Sequence, residues 1–200
     1  MSRVIVLAGS FNPPTLAHKE ILSLAVRVFR ADTGLFVPSS NAYVSRKMKN
    51  RGPVWSEKDR VAMLEAFSSF PVNMIELGDD GRGHTYETLC GIQKEYPESE
   101  IWFLFGTDKL KSLCRWKTRD LLLSQFQIVL TVRETNDETI KNMLQPYPEL
   151  LKYKSSFHLL RIPKTLRQIS STKVRAAIAD QDWKMASTLL DPTTLSYLQK

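Results

Sequence analysis

Short apolar runs and amphipathic stretches take turns along this chain, and their order predicts its architecture. Val4-Ile5-Val6-Leu7-Ala8 is uninterrupted apolar sequence and reads as a strand; a polar turn follows, then a helical pattern from about Leu16 to Arg30. Gly34–Pro38 reads as a second strand stopped by its proline. Residues 39–54 carry Ser, Asn, Gly, Pro and four basic side chains, which predicts a long loop. Ser56 with Asp59 three residues on starts a helix whose apolar face is Val61, Met63, Leu64 and Phe67, reaching about Ser69. Asn73–Leu77 is expected as a short third strand, Gly78–Gly83 as a flexible connector, and Tyr86–Tyr96 as a helix closed by Pro97.

Ile101-Trp102-Phe103-Leu104-Phe105 is apolar throughout, which predicts burial on both faces and hence a parallel sheet. Gly106-Thr107-Asp108 ends it. Beyond lie a helix at Leu121–Gln125, a strand at Gln127–Val132, a helix at Asp137–Leu144, a late strand at Phe157–Arg161 and a helical C-terminus broken near Asp191-Pro192. Regular alternation predicts an α/β fold: a doubly wound, Rossmann-like parallel sheet with helices on both faces. One domain is expected over residues 1–200, its helical C-terminal part covering about 170–200.

Composition narrows the function classes. Two cysteines without paired spacing, Cys90 and Cys114, predict reduced thiols rather than a disulfide. The first apolar run is too short for a signal peptide, and no apolar stretch approaches the roughly 20 residues a membrane helix needs. A cytoplasmic protein is expected, or a nuclear one if the source is eukaryotic. The net charge of +7 calls for an anionic partner, and basic residues gather at 46–51 and at Arg161, Lys164, Arg167, Lys173 and Arg175.

The turn Gly9-Ser10-Phe11-Asn12-Pro13-Pro14-Thr15-Leu16-Ala17-His18 carries the most chemistry. A strand, a tight polar turn and a helix N-terminus aim backbone N–H groups and the positive end of a helix dipole at one place, and His18 lies one turn in. That is a phosphate site. A second signal is Ile169-Ser170-Ser171-Thr172-Lys173-Val174-Arg175: its hydroxyls can simply cap a helix, or they can receive a phosphate together with Arg175. The sequence has no G-x-x-x-x-G-K-[ST] loop, no G-x-G-x-x-G turn, no G-x-S-x-G elbow and no zinc-type Cys/His set. Three histidines make a multi-histidine metal site a poor candidate.

These two segments resemble the signature motifs of the nicotinamide/nicotinate mononucleotide adenylyltransferases, in the nucleotidyltransferase superfamily with its [HT]-x-x-H motif, here Thr15 and His18. Three further segments match in order: Pro38–Lys47, similar to the substrate loop with its lysine; Thr85-Tyr86-Glu87-Thr88-Leu89, similar to the start of the helix at the nicotinyl site; and Gly106-Thr107-Asp108 followed by Leu113 and Trp116. Ala17 stands where a glycine is frequent, and His84 where many bacterial members carry tyrosine.

The resemblance implies transfer of the adenylyl group of ATP to nicotinamide or nicotinic acid mononucleotide, releasing pyrophosphate, with Mg²⁺ carried on the triphosphate. It implies His18, Lys47 and Arg175 as catalytic residues. ATP would be bound by Gly9, Ser10, Phe11, His18, Gly106, Asp108, Ser171, Thr172 and Arg175. The mononucleotide would be bound by Ser10, Lys47, Thr85 and Trp116, the last stacking on the pyridine ring. It implies no metal held by the protein itself, no nucleic acid and no membrane. Two rival readings remain open: another adenylyl- or cytidylyltransferase of the superfamily, such as a pantetheine-phosphate enzyme, and a basic nucleic-acid-binding module.

Overall fold

The computed structural model describes residues 2–49, 51–78, 84–132 and 139–199. Five strands, β1 (Ser2–Gly9), β2 (Thr33–Pro38), β3 (Ser99–Gly106), β4 (Gln127–Val132) and β5 (Phe157–Arg161), form one sheet in the order β2-β1-β3-β4-β5. Every neighbouring pair is parallel. Alternate side chains explain the unbroken apolar runs. Val4, Val6, Leu35, Val37, Ile101, Phe103, Ile128 and Leu130 enter one core, while Ile5, Phe36, Trp102, Leu104, Val129 and Leu160 enter another.

The second core is closed by α1 (Leu16–Val28) through Leu22 and Ala25, and by α3 (Glu57–Phe67) through Leu64 and Phe67. The first is closed by α4 (Thr85–Glu95), α5 (Leu110–Leu113), α6 (Arg119–Gln125), α7 (Ile140–Leu144) and α8 (Pro148–Leu151). After a single turn, α9 (Lys164–Arg167), the helices α10 (Ser171–Ala179), α11 (Trp183–Leu189) and α12 (Pro192–Leu198) gather a small core of their own around Val174, Ala177, Ala186, Leu189 and Leu190. This C-terminal group is tied to the sheet unit by polar contacts: Ser171 Oγ to the Pro13 carbonyl (2.7 Å), Lys19 to Asp191 (3.0 Å) and Tyr197 to Asp59 (2.8 Å).

Four expectations need correction. The predicted loop at 39–54 contains a helix, α2 (Asn41–Met48), capped by Ser40 and seated through Val44 and Met48, one helical turn apart. The strand expected at Asn73–Leu77 is absent from those described residues: a single bridge joins Val72 to Phe36, and Met74 and Ile75 are exposed. The helix predicted from Asp137 is seen as Ile140–Leu144, its first positions lying outside the described residues, as does most of the connector at 78–83. The helical C-terminus is broken twice, at Asp180–Asp182 as well as at Leu190–Asp191.

The chain leaves β1 for β2 on one side and returns to β3 on the other. The connections beyond the carboxyl ends of β1 and β3 therefore diverge and open a crevice, the usual ligand position in such sheets.

Candidate active site

The turn after β1 curls into this crevice. Phe11 takes a left-handed conformation (φ 42°) and is buried edge-on against Phe36 (5.5 Å between ring centres) and His18 (5.1 Å); the Asn12-Pro13 peptide is cis. The Thr15 N–H donates to His18 Nδ1 at 3.0 Å, and Thr15 Oγ1 lies 2.9 Å from the same nitrogen. A ring whose Nδ1 accepts carries its proton on Nε2. Burial, with Lys47 nearby, lowers the His18 pKa to about 4. His18 is thus a neutral N–H donor at physiological pH.

Two buried polar side chains hold the turn. Arg60, fully buried on α3, donates Nη1 to the Ser10 carbonyl (2.9 Å), Nη2 to the Ser39 carbonyl (2.7 Å) and Asn41 Oδ1 (3.0 Å), and Nε to the Trp55 carbonyl (3.2 Å). Asn12 accepts from the Trp55 N–H (2.9 Å) and donates to the Pro53 carbonyl (2.8 Å). The phosphate turn, the end of β2, the start of α2 and the approach to α3 therefore share one guanidinium.

Two cavities flank the turn. The first, about 370 Å³, is lined by Gly9, Ser10, Lys47, Thr85 and Trp116, all expected from sequence, by Ser39 and Tyr43 of the expected substrate loop, and by Glu76, Phe103, Phe105, Lys109 and Ser112, which the sequence did not single out. Lys47 Nζ sits 3.1 Å from Ser10 Oγ. Lys47 as a whole is exposed, yet burial of its ammonium, then Lys109 and Arg175, push its pKa below the ordinary lysine value, with Asp108 opposing. The second cavity, about 210 Å³, is lined by His18, Gly106, Asp108 and Ser171 among the expected residues, and by Thr15, Thr131, Ile169 and Ser170. A Cβ at Gly106 would lie 2.3 Å from Asp108 Oδ1, so a larger residue there would displace the exposed Asp108 carboxylate.

The late motif meets the early one. Besides the Ser171–Pro13 bond, Arg175 donates Nη1 to the Asn12 carbonyl (2.7 Å), Nη2 to Thr172 Oγ1 (3.1 Å) and Nε to the Arg51 carbonyl (3.4 Å). Burial lowers its pKa. The helix cap proper is Ser170, which accepts from the Lys173 N–H. Neither Thr172 nor Arg175 is among the residues lining the two cavities; Arg175 is buried against the turn itself. Phe11 likewise lines neither cavity, its ring being buried. Among the described residues no His, Cys, Asp and Glu side chains cluster as a metal site would need.

Residues 6–177 match the sequence profile described as cytidylyltransferase-like. The chain belongs to that family. Within and around the family, a probable nicotinate-nucleotide adenylyltransferase of Lachnoclostridium phytofermentans is 29% identical over 186 residues, covering 90% of this chain and 88% of the relative. One from Clostridium botulinum, of the same description, is 28% identical over 176 residues, 88% of this chain and 86% of its own. Among solved structures, the Plasmodium falciparum nicotinic acid mononucleotide adenylyltransferase complexed with NaAD superposes with a TM-score of 0.68 at 18% identity, covering 99% of this chain and 95% of that one. That last likeness is one of fold.

Proposed function

We propose that this chain transfers the adenylyl group of ATP to nicotinic acid mononucleotide, forming deamido-NAD and pyrophosphate, with nicotinamide mononucleotide as the alternative acceptor. The observation that carries this reading is the pair of cavities on either side of one phosphate turn, with the distant Ser171 and Arg175 bonded to that turn's carbonyls. Two nucleotides can lie end to end there and meet at Ser10 and Lys47. The relatives' descriptions and the ordered motifs support the same reaction.

An oxygen of the acceptor's 5′-phosphate attacks the α-phosphorus of ATP; the new P–O bond forms as the bond to the pyrophosphate oxygen breaks, and no protein nucleophile is needed. Both reactants are anions, so alignment and positive potential are what the protein has to supply. Lys47, beside Ser10, holds the acceptor phosphate in line. The N–H groups of Gly9–Phe11 and His18 Nε2–H receive the triphosphate, and Ser171 borders it. Arg175 adds charge and holds the turn through Asn12, and Thr172 steadies its guanidinium. Asp108, at the end of β3, accepts from the adenosine ribose. Magnesium arrives as part of the substrate, bound to the triphosphate and partly neutralising it.

In the acceptor cavity Trp116 stacks on the pyridine ring. The N-terminus of α4 begins at Thr85, so its free N–H groups and dipole favour a carboxylate over an amide. Incubation with magnesium ATP and each mononucleotide tests the reading. Equimolar deamido-NAD and pyrophosphate are expected, with the acid preferred. Product only with phosphopantetheine, or only salt-sensitive nucleic-acid binding, would replace it by one of the rivals.

A further inference from the structure

Glu76 is an unexpected group in the acceptor cavity. It lines the wall shared with Trp116 and Thr85 and is only 9% exposed. Its hydrogen-bond donors among the described residues are neutral hydroxyls: Thr88 Oγ1 at 2.9 Å, and Ser39. Among the described residues it forms no salt bridge, although lysines line the same cavity. Burial pushes its carboxyl pKa up, and the two hydroxyls only partly offset that. A buried carboxylate without a cation is costly, and an arriving positive charge relieves that cost.

The acceptor reading names such a charge. The ring of a pyridine mononucleotide is a pyridinium: its quaternary nitrogen has no N–H to donate, so only an anion or an aromatic face can recognise it. Resting on that reading, we propose that Glu76 is the counter-ion of the pyridinium ring, and that with Trp116 it makes the cavity select the cationic, oxidised ring over an uncharged one. The ligand's three charges then meet three complementary groups: phosphate at Lys47, ring cation at Glu76, and carboxylate at the start of α4.

The test compares nicotinic acid mononucleotide with its 1,4-dihydro counterpart, whose ring has the same substituents and no charge. Initial rates at saturating magnesium ATP are read by separating the dinucleotide product, for wild type and for Glu76→Gln, which keeps the volume and an acceptor for Thr88. Wild type should prefer the pyridinium by about tenfold or more in kcat/KM. Glu76→Gln should lower kcat/KM for the pyridinium by about 10- to 100-fold while changing the dihydro acceptor by less than about threefold. An equal fall for both acceptors would show a purely structural role and overturn the proposal, as would an unchanged preference. Absence of any dinucleotide from wild type with either acceptor would fall on the adenylyl-transfer reading itself and take this inference with it. Should Glu76→Gln fail to fold, inhibition of wild type by benzamide riboside 5′-monophosphate, a planar uncharged isostere, serves instead. Its Ki should exceed the KM of nicotinamide mononucleotide by about tenfold; equality would overturn the proposal.

Discussion

The two cavities beside the phosphate turn handle charge in opposite ways. The larger one is walled with ionisable side chains: Lys47, Lys109 and Glu76. The smaller one presents His18 held neutral, helix-cap hydroxyls and backbone, with Asp108 exposed at its edge. A triphosphate carrying its own magnesium is already partly neutralised, so oriented N–H groups and dipoles suffice for it. The acceptor arrives with a bare phosphate and a charged ring, and needs ionic partners. The difference suggests that substitutions in the smaller cavity act mainly on turnover, and those in the larger one on acceptor affinity and choice.

The sharpest way to break this contrast is at His18. His18→Ala should lower kcat by about 10²–10³ with little change in melting temperature, since it removes one preorganised donor. Arg175→Ala should lower kcat by a similar factor but also cost about 1–3 kcal/mol of stability, because the Asn12 carbonyl and Thr172 lose their donor. Near-normal turnover in either variant would remove that residue from the account.

Arg60→Ala should leave the fold recognisable but cost about 3 kcal/mol, lowering the melting temperature by about 6–12 °C, as four acceptors lose one guanidinium. A loss below about 0.5 kcal/mol would show that the turn holds itself.

Smaller effects follow from ionisation. The Lys47 pKa is lowered, so its charge is lost as pH rises, earlier than for an ordinary lysine. Acceptor kcat/KM should therefore decline with rising alkaline pH, and Lys47→Arg, which stays charged, should flatten the decline. An identical profile in the two proteins would assign the decline elsewhere.

The smallest effect concerns His18 again. Its folded pKa of about 4 lies below the ordinary 6.5. Its contribution to stability is thus complete above pH 6.5 and is lost as pH falls towards 4, where the unfolded chain binds the proton first. The melting temperature of wild type, taken relative to that of His18→Asn, should fall from pH 7 to pH 5. A constant difference would contradict the neutral-donor assignment.

The sheet was legible in the sequence because strands buried on both faces leave unbroken apolar runs, as at Ile101–Phe105. Both phosphate motifs were legible because turns and caps use few residue types. The helix α2 was hidden by polar and basic sequence; only the spacing of Val44 and Met48 betrays it. Asn73–Leu77 looked like a strand by composition, but among the described residues its backbone reaches the sheet only at its first position, where the Asn73 N–H donates to the Phe36 carbonyl beside the Val72 bridge. Arg60 and Glu76 were invisible for a common reason: charged side chains are ordinarily at the surface, and only tertiary contacts show these two buried.

The most direct test of the central claim, that two nucleotides meet across the turn, is a crystal structure with deamido-NAD bound. The account predicts the pyridine ring against Trp116 in the larger cavity, the adenosine beside Asp108 in the smaller one, and the bridging phosphates at Ser10 and His18. Both nucleosides in one cavity, or a dinucleotide bound away from the turn, would contradict it.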